Sequence, residues 1–195
     1  MLEEKVIRDA LRYLGSKGDD PSDAILLEKV FDAYRDVFCP RQVTAVFRVK
    51  DHLPSLTFEG CAVTLVGESI RRHFEGATEG IFSAFTLGVA FDKKVRELSL
   101  TRPSESVALN SLGSAYAERK ADELLKEVRT KKEAEGFKTN FRFCPGYGDL
   151  PITVNAEIAA ALGAAKKIGL TVTEDGLLLP IKSIVGVTAC IPVAR

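Results

Sequence analysis

Phe141-Arg142-Phe143-Cys144-Pro145-Gly146-Tyr147-Gly148-Asp149-Leu150-Pro151 is the most constrained stretch of the chain. Arg142 lies near the end of a run of strand-forming residues, Phe137 to Phe143. Pro145 has no N–H to offer a neighbouring strand, and Gly146 and Gly148 accept backbone angles that other residues resist. The pattern predicts a strand leading into a tight turn with an arginine at its mouth. Tyr147, between the two glycines, has no bulky neighbour to cover it. A guanidinium presents a planar fork that matches carboxylate or phosphate, and a phenol ring presents a flat apolar face with a polar tip. Together they suit a small zwitterion that also carries an aromatic or cationic part. A structural turn with a surface arginine accounts for the same residues, so both readings stand at this point.

Upstream of the turn, the longest helix runs from a cap at Ser104 or Ser106 to about Glu133, with Val107, Leu109, Leu112, Ala115, Tyr116 and Leu124 on its early apolar side. Its end, Glu127 to Glu135, reads as a solvated charge run. Ser114 and Glu118 are four residues apart on this helix and share a face. A carboxylate there, facing Arg142, would complete a clamp for a zwitterion. A solvent-facing glutamate is the plain alternative.

Further towards the N-terminus, Phe91 to Leu100 reads as a helix with Val95 and Leu98 inward. Ile81 to Leu87 reads as a buried central strand, and Val43 to Val49 as another. Leu56 and Phe58 alternate as a short strand, and Val63 to Val66 is ambiguous between helix and strand. Glu68 to Phe74 is a short helix with Gly67 at its N-cap. Residues 1–40 form a helical flank: one helix around Val6, Ile7, Ala10, Leu11 and Leu14, a turn at Lys17-Gly18-Asp19-Asp20, and a second helix capped by Ser22 and stopping near Cys39-Pro40.

Downstream, Asn155 is the expected N-cap of a helix from Ala156 to Lys167, with Gly169 just past its end. Leu170 and Val172 alternate as a strand, Asp175-Gly176 marks a hairpin, and Leu177 to Leu179 with Ile184, Val185 and Val187 complete the sheet. Helices and strands mix without strict alternation. The expected class is therefore α+β, with a largely antiparallel, twisted sheet flanked by helices in one domain spanning residues 1–195.

Lysine and arginine number 27, as do aspartate and glutamate, so the formal charge is zero. Phosphate-backbone binding needs a basic excess, so a nucleic-acid binder is disfavoured. Cys39, Cys61, Cys144 and Cys190 are scattered, only His52 and His73 add imidazole, and no zinc site is expected. The first residues do not read as a signal peptide, and no apolar run reaches membrane-spanning length. We expect a cytoplasmic chain with reduced thiols and no membrane partner. No Gly-x-Gly-x-x-Gly follows a strand, and neither a phosphate loop nor a Gly-x-Ser-x-Gly elbow is present. His73, within Arg71-Arg72-His73-Phe74 on a short helix, reads as a surface histidine, with anion binding as the alternative, and His52 as a turn residue. Cys144 has no histidine near it in sequence to activate its thiol as a nucleophile.

Arg142-Phe143-Cys144-Pro145-Gly146-Tyr147 resembles the Arg-x-x-x-Gly-Tyr pattern of the activation domain of cobalamin-dependent methionine synthase. Gly148-Asp149-Leu150-Pro151 looks like the version in free-standing members. The likeness continues through Lys167 to Glu174, Pro180 and Lys182 to Val187, and upstream through Leu11 to Gly15, Lys17-Gly18 and Thr86-Leu87-Gly88. The resemblance implies a curved antiparallel sheet flanked by helices and a shallow groove for S-adenosylmethionine. Arg142 would take the ligand's carboxylate, the Tyr147 ring would approach the sulfonium, and the backbone around Cys144, Pro145 and Gly146 would meet the adenine. It implies a reactivation subunit with no catalytic acid or base of its own. Cobalamin would sit in trans on a corrinoid-binding methyltransferase, with flavodoxin or a similar protein as electron donor. Ser114 stands where the resemblance places a ligand-contacting glutamate, with Glu118 one turn on, and Asp175 stands in place of the family's serine after Thr173-Glu174. Ile191 to Arg195 lack the aromatic residues that approach the cofactor in the full-length enzymes. A module that caps a corrinoid protein without binding S-adenosylmethionine is the second expectation. A small-molecule enzyme using Cys144 is the third. No cobalamin-binding Asp-x-His-x-x-Gly motif is present.

Overall fold

A computed structural model describes residues 3–16 and 21–193. The turn expected at Lys17 to Asp20 lies outside the described residues. The element order is α1 (Glu4–Leu14), α2 (Pro21–Tyr34), a single 3-10 turn, β1 (Arg41–Asp51), β2 (Leu56–Phe58), β3 (Cys61–Leu65), α3 (Glu68–His73), β4 (Glu79–Thr86), α4 (Val89–Thr101), α5 (Pro103–Ala134), β5 (Phe137–Thr139), α6 (Val154–Leu162), α7 (Ala164–Ile168), β6 (Thr171–Val172), β7 (Leu178–Leu179) and β8 (Ser183–Pro192).

Six strands form one antiparallel sheet in the order β3-β2-β1-β4-β8-β5. The expected α+β class holds. The centre is β4, whose run of Ile, Phe, Ala and Thr is buried on both faces. Its pairing with β8 extends from Glu79 opposite Cys190 to Thr86 opposite Ser183. Side chains alternate across a strand, so the two faces collect different cores. Phe82, Ala84, Val185, Val187 and Ala189 join Ile70, Ile158 and Leu162 under α3, α6 and α7. Phe85 and Leu87 join Leu109, Leu112 and Phe91 under α4 and α5, and Val6, Ala10, Leu27 and Val30 of the N-terminal pair lie on that same side.

Several boundaries depart from expectation. Neither Ser104 nor Ser106 caps α5. The helix starts at Pro103, whose missing N–H costs nothing in the first turn, and Ser106 Oγ donates instead to the Val95 carbonyl at 2.8 Å. Val107, expected inward, is exposed, while Ala108 takes the buried place. Ser22 lies inside the first turn of α2, which begins one residue earlier. The ambiguous Val63 segment is a strand, β3.

The helix expected from Ala156 to Lys167 is two helices. Gly163, at φ 63°, takes the left-handed conformation that closes α6 and opens α7. Asn155 is no cap: it is buried in α6, and its Nδ2 donates to the Gly176 carbonyl at 2.9 Å. That bond ties α6 to the β6-β7 ribbon, which forms a separate two-stranded sheet and does not complete the main one.

The strand expected to reach Phe143 ends at Thr139. Beyond it, Asn140 substitutes its side chain for a ladder rung. The Ala189 N–H donates to Asn140 Oδ1 at 2.9 Å, the Asn140 N–H donates to the Ala189 carbonyl at 3.3 Å, and Asn140 Nδ2 donates to the His73 carbonyl at 2.7 Å. Pairing resumes at Phe143, which exchanges both backbone bonds with Val187 at 2.8 and 2.9 Å. No helix of the described residues is long and apolar enough to cross a membrane.

Candidate functional site at the Arg142 turn

The turn is held from three sides. Phe143 is fastened to β8 as above. Tyr147 N–H donates to the Cys144 carbonyl, Leu150 N–H to the Tyr147 carbonyl and Gly146 N–H to the Leu150 carbonyl, closing the loop on itself. Asp149 reaches α3, where Oδ2 accepts from the Glu68 N–H and Oδ1 from the Ser69 N–H at 3.0 Å. Those backbone donors have no partner inside the helix, and a carboxylate satisfies them. They favour the ionised form and hold Asp149 below the usual carboxylate range.

Arg142 lies flat across β8 at Gly186. A Cβ added to Gly186 would stand 2.6 Å from Arg142 Cγ and 2.9 Å from the Phe143 carbonyl oxygen, so only glycine admits the side chain. The guanidinium then reaches α5. Its Nη2 donates to Glu118 Oε2 at 2.6 Å and its Nη1 to Asp122 Oδ1 at 2.9 Å. The Arg142 side chain is 8% exposed, whereas those of Glu118 and Asp122 are 49% and 65% exposed. Burial disfavours the charged guanidinium, but the charges of Asp122 and Glu118 outweigh it and raise its pKa. Arg142 Nε is buried without a hydrogen-bond partner.

The expected site residues therefore divide. Arg142 and Glu118 meet directly, joined by Asp122, which the sequence reading did not single out. Tyr147 stands open beside them, 58% exposed as a residue, in an edge arrangement with the Phe143 ring. Pro145 is buried, while Gly146 is exposed. Cys144 is half-buried, and burial raises its thiol pKa although Arg142 pulls the other way. At neutral pH it is a protonated thiol and a poor nucleophile. Ser114 does not meet Arg142. Its hydroxyl accepts from Lys182 Nζ at 2.8 Å and donates to the Asn110 carbonyl at 3.2 Å.

His73, expected at the surface, is buried against Phe74, Phe141 and Phe143, with Nε2 unpartnered. Desolvation lowers its pKa, partly opposed by the Phe141 backbone. Two signals were readable in advance. Asp122 continues the four-residue spacing of Ser114 and Glu118, and a lone glycine inside the strand run Ser183 to Val187 marks a close approach. Among the described residues no group of three or more His, Cys, Asp or Glu side chains is placed to hold a metal ion.

No protein-family model and no curated protein matches the sequence. By structure, the chain is similar to a crystal structure of the MetH reactivation domain bound to AdoHcy, at 17% sequence identity and a TM-score of 0.70, covering 94% of this chain and 70% of that one. The chain thus shares the fold of the MetH reactivation domain.

Proposed function

We propose that the chain binds S-adenosylmethionine at the rim formed by Glu118, Asp122, Arg142 and Tyr147, and that it acts as a free-standing reactivation subunit. In this reading it supports reductive methylation of the corrinoid of a cobalamin-dependent methyltransferase, methionine synthase foremost. It does so in the cytoplasm, with cobalamin in trans and an electron from flavodoxin or a similar donor. One observation carries the reading: one guanidinium faces two carboxylates beside an open aromatic ring. This occurs on a fold shared with a domain crystallised with AdoHcy.

The charges are complementary. The ligand's ammonium, sulfonium and carboxylate sum to one positive charge, and the trio sums to one negative charge. Half-exposed Glu118 is available to the ammonium, and the Tyr147 face to the sulfonium. The ligand carboxylate would take Arg142 by displacing one of its two partners. The Gly146 carbonyl, exposed in the turn, is open to a base edge, its N–H being held by Leu150. A docked partner's reduced corrinoid would supply the electron pair for the new bond to the methyl group, and the broken sulfonium bond would leave AdoHcy. This chain's residues bind and orient the donor, and none has to move a proton.

Titration calorimetry tests this. A saturable heat with S-adenosylmethionine is expected, at least tenfold weaker with AdoHcy, which lacks the sulfonium charge, and at least tenfold weaker in Tyr147→Ala or Glu118→Gln. Absence of heat, or equal affinity in both variants, removes the proposal.

A second reading has support of its own. Both terminal nitrogens of Arg142 are already engaged and the side chain is nearly buried, which suits a module that caps a corrinoid protein without binding the nucleoside. Capture of the corrinoid protein without added ligand, undiminished in Tyr147→Ala and accompanied by no heat, would favour it.

A further inference from the structure

We propose that a second groove, between α4 and the segment leading into β8, binds a small organic anion with an apolar body. The groove encloses about 530 Å³, within the range of small-molecule sites. Three large apolar side chains, Val89, Leu179 and Ile181, stand exposed around it. Apolar side chains on the walls of a groove can cover the apolar body of a small ligand. The segment is fixed, because the Ile181 N–H donates to Asp92 Oδ2 at 2.6 Å, tying it to the first turn of α4.

The charges around these walls select the head group. Lys93 and Arg96 lie three apart on α4, face the groove, and make no ion pair among the described residues. Lys182 completes the set from the opposite wall. Its ammonium is half-buried and donates to a neutral hydroxyl, Ser114 Oγ, with no carboxylate in ion-pair contact. Burial lowers its pKa, and Asp92 only partly restores it, as expected of an ammonium short of a counter-charge. Three cations thus stand against one carboxylate, and that carboxylate is occupied by a backbone N–H. A carboxylate or phosphate at Lys182 and Arg96, with a hydrocarbon or aromatic body over Val89 and Ile181, satisfies both features. The site is separate from the Arg142 rim and does not depend on the proposed function.

Nitrogen-15 NMR of the full chain, titrated with octanoate, octyl phosphate and uncharged 1-octanol, is the test. Saturable shifts are expected at the amides of Val89, Ile181 and Lys182 with either anion, and the stronger of the two identifies the head group. Octanol should bind at least tenfold more weakly. Lys182→Met, an apolar replacement that fits a half-buried position, should weaken the anions at least tenfold. Arg96→Ala, at a position outside the core, should weaken them severalfold. Octanol binding as well as octanoate, shifts unchanged by both variants, shifts elsewhere, or no saturable shift would each overturn the proposal.

Discussion

Arg142 Nη2 donates to Glu118 Oε2 across 24 residues of sequence and 2.6 Å of space. The two ends differ in burial, with 8% of the Arg142 side chain exposed against 49% of Glu118. Removing the arginine returns two carboxylates to water, whereas removing the carboxylates strands a buried cation. Glu118→Ala with Asp122→Ala is therefore expected to cost about 3 kcal/mol, and Arg142→Met roughly 1 kcal/mol. Urea denaturation of the two variants checks the order, and the reverse order would contradict this account.

Gly186→Ala places a methyl group against Arg142 Cγ and the Phe143 carbonyl. The carbonyl is fixed by its bond to Val187 and cannot retreat. A loss of about 2–3 kcal/mol is expected from the overpacking. The turn should also shift, visible as altered amide signals from Arg142 to Tyr147. Gly136→Ala, where a Cβ meets nothing within 4 Å but φ is +90°, gives the cost of backbone strain without overpacking for comparison.

The Asp149 carboxylate is stabilised by N–H groups of Ser69 and Glu68, so its folded pKa lies below its unfolded one. The stability this cap contributes is present above the ordinary carboxylate pKa of about 4, and is lost as pH falls through the folded value. Asp149→Asn should therefore lower Tm at pH 7. The gap to the wild type should narrow as pH falls below the ordinary carboxylate range and close once pH has passed through the lowered folded value, where both side chains are neutral. A pH-independent gap would mean the charge contributes nothing.

Thiol chemistry follows burial. Cys39 is exposed, Cys144 is half-buried with its pKa raised by desolvation, and Cys190 is buried and pushed up to about 11. Alkylation by iodoacetamide at pH 7, followed by mass spectrometry, should label Cys39 first and Cys190 last. Preferential labelling of Cys144 would reopen the case for a nucleophile there.

Much of the architecture was legible because it rests on local chemistry. The helical spacing of Val6 and Ala10, the β-branched and aromatic run of β4, and Asp175-Gly176 between β6 and β7 each specify an element without help from afar. What failed was decided by distant partners. Asn140 looks like one more strand residue until Ala189 and His73 are beside it. His73 looks like a surface residue until Phe141 and Phe143 cover it. The helix after Asn155 looked continuous because Gly163 is a single interruption, and only the folded backbone shows its left-handed angle.

The candidate site was half legible. Spacing put Ser114 and Glu118 on one face, but it could not say that the segment leading into β8 would bring Lys182 to the first and the turn would bring Arg142 to the second. The burial of Arg142 depends on Gly186, more than forty residues later in the chain, and on α5, twenty residues earlier.

The threefold fastening of the turn, to β8 through Phe143, to α5 through Arg142 and to α3 through Asp149, has a thermodynamic consequence. Tyr147 is presented on a frame that does not have to be ordered when a guest arrives, so little conformational entropy is lost on association. Occupancy of the rim should leave the backbone where it is, and the affinity measured there will report the new contacts less the cost of parting Arg142 from one carboxylate.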